Sequence, residues 1–120
     1  GATVLWIGPR RWLACCDVAR EDALAEALTT ASAAEPLALA VPVSDMLACF
    51  ALTGVGARDL LAQGTPLDID ALDADAATMT ELFQMPALLR RVPAGFEIWI
   101  DRGLAAHLEA CLAAANGEGG

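Results

Sequence analysis

The segment Pro93-Ala94-Gly95-Phe96-Glu97-Ile98-Trp99-Ile100-Asp101 sets the strictest limit on what this chain can become. Phe96, Ile98 and Ile100 alternate with Glu97, Trp99 and Asp101, a period of two that fits an extended strand with one face turned to a core. A strand of this kind is not stable alone. The remainder of the 120 residues must therefore supply strands for its two edges and a cover for its apolar face, within a length suited to one domain.

The chain offers both. Thr3 to Ile7 and Arg11 to Cys16 are β-rich runs separated by Gly8-Pro9, a hairpin signal. Arg20 to Ala34 is alanine-rich, with Glu21, Asp22 and Glu26 in its first half and Leu24, Leu28 and Ala31 at helical spacing, and it is expected to be a helix. Glu35-Pro36 opens an extended stretch over 37–43, and Cys49 to Leu52 reads as another strand. Ala57 to Ala62 reads as a short helix closed by Gly64 in a left-handed cap. After an Asp-rich loop, Thr78 to Phe83 and Ala87 to Val92 read as strands. Leu104, His107, Leu108, Cys111 and Leu112 then recur along a helix that Asn116-Gly117 should break, leaving 116–120 as a flexible tail of a single domain spanning 1–120. The expected fold class is α+β, a mainly antiparallel sheet with helices packed on one face. Strands such as Val4 to Ile7 are apolar on both faces, which calls for a second cover, expected from another chain.

Charge narrows the choice of partner. All seven basic residues are Arg, and 16 acids bring the net charge to −9. A phosphate-seeking surface needs the opposite sign, so neither nucleic acid nor an anionic membrane is expected. No apolar run approaches the roughly 18 residues of a membrane span, and no basic-then-apolar leader opens the sequence, so a cytoplasmic location is expected. Cys15, Cys16, Cys49 and Cys111 lack CxxC or histidine spacing and read as small buried thiols of a reducing compartment.

The residues suggest no assembled catalytic site. Gly54-Val55-Gly56 before a helix resembles the opening of a dinucleotide fingerprint, but Asp59 stands where the third Gly belongs, and its charge would repel a pyrophosphate. Asp68, Asp70, Asp73 and Asp75 fail calcium-loop spacing, because a loop starting at Asp70 has Leu72 third and Asp75 sixth. They read as a solvated loop, and no metal site is expected. His107 is the only histidine and shares the apolar stripe of the last helix, where a core or rim role is expected. Arg10-Arg11 and Arg90-Arg91 read as surface ion-pairing residues.

Leu5-Trp6-Ile7-Gly8-Pro9-Arg10-Arg11-Trp12-Leu13 resembles the opening of the gamma subunit of heterotetrameric sarcosine oxidase. Val43-Ser44-Asp45, Phe50 to Gly54, Ala57 to Asp68, Pro86 to Leu89 and Gly95 to Ile100 resemble that family's core in order and spacing, across nearly the whole chain. Val55 stands where the family has a Pro, and Pro42 where it has an Asp. The resemblance implies a fold similar to half of the folate-binding domain of aminomethyltransferases and of the tRNA-modifying GTPase N-terminal domain. It further implies a non-catalytic accessory subunit, with the flavin, NAD and tetrahydrofolate sites of sarcosine oxidation on partner subunits and no cofactor in this chain. The alternative is a stand-alone homodimeric folate-binding module. The partner-interface candidate is Trp99 between Glu97 and Asp101, expected to meet the large flavin- and NAD-binding subunit or a second copy, because Trp is enriched among interface anchors.

Overall fold

A computed structural model describes residues 3–34, 40 and 43–119, and side chains as far as 116. The chain falls into two compact units, Gly1–Asp45 and Met46–Gly120.

The first unit begins with strands β1 (Thr3–Gly8) and β2 (Arg11–Cys15), paired antiparallel. Arg10 takes a positive φ of 59° in the connecting turn. The register sets Leu5 opposite Leu13 and Trp6 opposite Trp12, and Leu5 is buried while Val4 and Trp6 point the other way. Helix α1 (Glu21–Ala33) follows a single 3-10 turn, with Glu21 and Asp22 in its first turn, where the helix dipole favours negative charge. The Glu21 carboxylate also accepts a hydrogen bond of 2.5 Å from the Ser44 hydroxyl. The stripe of Leu24, Leu28 and Ala31 is present, yet no residue of α1 is buried. Apart from Ala40 and Val43, neither of which is in a strand, the stretch expected to be extended over 37–43 lies outside the described residues.

The second unit holds β3 (Leu47–Thr53), α2 (Ala57–Ala62), β4 (Ala77–Leu82), β5 (Met85–Val92), β6 (Gly95–Asp101) and α3 (Ala105–Gly119). Its four strands form one antiparallel sheet in the order β3-β6-β5-β4. The period-two segment thus occupies a central strand, and Phe96, Ile98 and Ile100 are buried as the alternation requires. They pack with Ala87 and Leu89 of β5, Ala57 and Leu61 of α2, and Leu108 and Leu112 of α3. Both helices cover this one face. Leu61, Ile98 and Leu108 are wholly inaccessible, and full burial of such a side chain contributes about 1.5–3 kcal/mol.

Three local expectations are corrected. Gly64 is not in the left-handed region; a Cβ there would lie 2.7 Å from the Phe83 ring, so close packing accounts for the glycine. Helix α3 continues through Asn116 and Gly117 to Gly119, because one Asn and one Gly cost a helix only about 1 kcal/mol each and an established helix propagates cheaply. None of the four cysteines is buried: Cys49 is exposed and the other three are half-buried, since Cys49 lies on an edge strand and Cys15 and Cys16 at the end of a hairpin.

Candidate functional site

The sheet face opposite the helices carries Glu97, Trp99 and Asp101 along β6. The ladder extends this row sideways, because Trp99 is opposed by Cys49 of β3 and Leu88 of β5, and Leu88 in turn by Met79 of β4. One apolar band therefore crosses all four strands on this face. Leu88 is buried, Trp99 half-buried and Met79 exposed. Beside the band, Arg90 faces Glu97 at 3.4 Å and Asp75 at 3.8 Å, with its guanidinium largely shielded from water. Asp101 ends the strand, and its carboxylate accepts the Gly103 N–H at 2.8 Å, capping the turn into α3. The structure thus places Glu97 and Trp99 together on the face, and Asp101 at its margin.

Two donors on this face lack acceptors. Arg90 Nε and the Trp99 indole Nε1 are out of contact with water and have no hydrogen-bond partner. The indole N–H bears on the Cys49 thiol without reaching hydrogen-bond geometry. Burial pushes the pKa of that thiol up, the indole N–H acts to lower it, and the charge of Glu97 adds to the rise.

A further apolar surface lies on the β1-β2 hairpin, where Val4, Trp6 and Trp12 are 64%, 56% and 60% exposed. Trp6 and Trp12 are direct cross-strand partners, so their side chains share one side of the hairpin. Neither stands out as an anchor in the sequence alone. Their equal spacing about Gly8-Pro9 was the available signal, since it makes them opposite one another in any hairpin closed there.

The remaining polar candidates have local partners. Arg58 grips the Asp70 carboxylate with two hydrogen bonds, of 2.6 and 2.5 Å, and reaches Asp59 at 2.8 Å, tying α2 to the Asp-rich loop. The guanidinium holds the Asp70 carboxyl below the usual carboxylate range. Asp68 accepts the Asp70 N–H, and Arg91 donates to the Leu72 carbonyl at 2.7 Å. The loop is therefore built of paired groups and sends Ile69 and Leu72 into the core. His107 is exposed at the rim of α3, with Nε2 3.8 Å from Cys111 Sγ. An open groove of about 460 Å³ between α2 and α3 is lined by Leu52, Ala57, Leu60 and Leu112, with Glu109 and Asn116 at its edge. Among the described residues no three His, Cys, Asp or Glu side chains are grouped to hold a metal ion, and no helix is long and apolar enough to cross a membrane.

Comparison with known proteins connects this arrangement to one assembly. No family model matches the sequence, and neither does any curated protein. Among solved structures, the fold is similar to a chain of the heterotetrameric sarcosine oxidase from Corynebacterium sp. U-96, determined in complex with pyrrole 2-carboxylate. The identity is 25% and the TM-score 0.83, over 98% of this chain and 60% of that one. This chain is therefore shorter than its structural neighbour, and it shares that neighbour's α+β fold along almost its whole length.

Proposed function

We propose that this protein is a non-catalytic accessory subunit of a sarcosine-oxidase-like heterotetrameric flavoenzyme, the counterpart of the gamma subunit. The observation that carries the reading is the likeness over 98% of the chain to a chain of that oxidase. In this reading flavin, NAD and tetrahydrofolate are held by partner subunits, which carry out the oxidative demethylation of sarcosine, and this chain contributes structure.

The two apolar surfaces give the accessory role a physical basis. A band of Met79, Leu88, Trp99 and Cys49 across the sheet and the exposed Trp6-Trp12 pair are costly to leave in water, and aromatic residues of this kind anchor interfaces. Glu97 and Arg90 form the polar rim of the sheet band. The partner these surfaces serve is the large flavin- and NAD-binding subunit.

Co-expression with such a subunit, followed by size-exclusion chromatography, tests the proposal. Co-elution at fixed stoichiometry, with loss of the complex when this chain is omitted, is the expected result. An oxidase that assembles and turns over normally without the chain refutes it. Saturable tetrahydrofolate binding by the isolated chain as a homodimer would favour the folate-binding module instead.

A further inference from the structure

We propose that Cys111 is a reactive surface thiol that exchanges with low-molecular-weight disulfides, with His107 as the base that takes its proton. The two residues lie one turn apart on α3, and Sγ and Nε2 are 3.8 Å from each other. His107 is the only histidine in the sequence, so no other cysteine can have this partner. A nucleophilic side chain with a base in reach is the arrangement that activates thiols, because the thiolate is the attacking species.

The surroundings favour Cys111 over the other thiols. Helix α3 turns Leu108, Leu112 and Ala115 inward. Cys111 lies at the edge of that stripe, packed against the core yet half-exposed, while His107 is fully on the surface. The sulfur is thus held in place and still open to a small molecule. Glu109 is two residues from each member of the pair and so leaves the helix on another side, where it lines the groove toward α2. In the turn before α3, the Asp101 carboxylate is engaged by the Gly103 N–H, and Arg102 donates to the Leu47 carbonyl. The sheet surface beneath the helix presents Ala87, Leu89, Ile98 and Ile100, none of them charged. Cys49, though exposed, is a poorer nucleophile at neutral pH, since burial of its sulfur and the charge of Glu97 both disfavour its thiolate.

The exchange balances without another reactant. Cys111 Sγ–H gives its proton to His107 Nε2, and the thiolate attacks one sulfur of R–S–S–R. The S–S bond of the reagent breaks as the new Cys111–S–S–R bond forms. The leaving thiolate takes the proton from the imidazolium as R–SH. Cys111 is oxidised, and half of the reagent is reduced. An ordinary cysteine is only a few per cent thiolate at neutral pH, so proton removal can raise the rate by about tenfold once the lower nucleophilicity of a weaker base is allowed for.

The test uses the reduced full chain and dithiodipyridine, a neutral disulfide that the net charge of −9 neither attracts nor repels. Peptide mass mapping at short times near neutral pH should find Cys111 modified first, and Cys111→Ser should abolish the fast phase. His107→Gln should slow Cys111 by about tenfold near neutral pH, the two rates converging at about pH 10, where any thiol ionises unaided. Circular dichroism checks that both variants retain the fold. First modification at another cysteine, an unchanged rate in His107→Gln, or a deficit that persists at high pH overturns the proposal.

Discussion

Trp99 offers a perturbation whose sign depends on the geometry of the sheet's second face. Replacing it with Phe keeps an aromatic ring between Cys49 and Leu88 and deletes the indole N–H, which has neither water nor a partner. Removing an unpaired buried donor relieves about 1–3 kcal/mol. The smaller ring gives back about 1 kcal/mol of apolar burial. Trp99→Phe in the isolated chain is therefore expected to lie between neutral and about 2 kcal/mol more stable than wild type, read by urea unfolding followed by far-ultraviolet circular dichroism. Trp99→Ala deletes the centre of the apolar band, and it should weaken association with the large subunit by about 2 kcal/mol or more, roughly thirtyfold in Kd by calorimetry. A loss above about 2 kcal/mol for Trp99→Phe would mean that the isolated chain already satisfies the indole N–H. An unchanged Kd for Trp99→Ala would remove this face from the interface.

Further expectations follow from local geometry. Gly64→Ala puts a Cβ 2.7 Å from the Phe83 ring and should cost about 1–3 kcal/mol, a penalty that disappears in a Phe83→Ala background if packing is its cause. Phe83 and Gln84 both have positive φ, 49° and 68°, in the β4-β5 turn, so Gln84→Gly should raise the unfolding free energy by about 0.5–1 kcal/mol in a urea titration. Because Arg58 depresses the Asp70 pKa, that pair's contribution is present above the unfolded carboxylate value of about 4 and is lost as pH falls through the folded value. The melting temperatures of wild type and Asp70→Asn should therefore converge in acid, and also in high salt, since the pair is exposed. His107→Ala should leave turnover of the assembled oxidase near wild type, and a loss beyond about a hundredfold would point to a general base in this chain.

The parts of the fold that the sequence disclosed are those where one local rule acts unopposed. The alternation from Phe96 to Asp101 predicted the central strand and its buried face, because a period of two leaves no other way to bury Phe96, Ile98 and Ile100 together. Gly8-Pro9 and Pro93-Ala94-Gly95 marked turns for the same reason. Where two rules compete, sequence was a poorer guide. Gly64 after a helix satisfies the cap rule, yet the contact that requires glycine comes from Phe83, nineteen positions later, and only the tertiary structure brings that ring to the helix end. The spacing of Asp68, Asp70, Asp73 and Asp75 suggested a solvated loop, whereas Arg58 draws Asp70 in and Ile69 and Leu72 join the core.

The candidate site was harder to read because an interface is defined by pairs across strands, and a linear sequence shows residues of one strand only. Trp99 was found because its own strand isolates it between Glu97 and Asp101. Its neighbours in the apolar band, Met79, Leu88 and Cys49, come from three other strands and become neighbours only through the order β3-β6-β5-β4. Trp6 and Trp12 were in view as part of a resemblance, but their exposure side by side is a property of the hairpin register. The same limit applied to Cys111 and His107, which sequence placed on one apolar stripe and the helix separates, with the imidazole outside and the thiol at the edge of the core. A chain whose polar groups are mostly engaged in local pairs and whose unsatisfied surface is aromatic is suited to holding another protein in place. That physical argument for an accessory role stands beside the likeness in fold and does not depend on it.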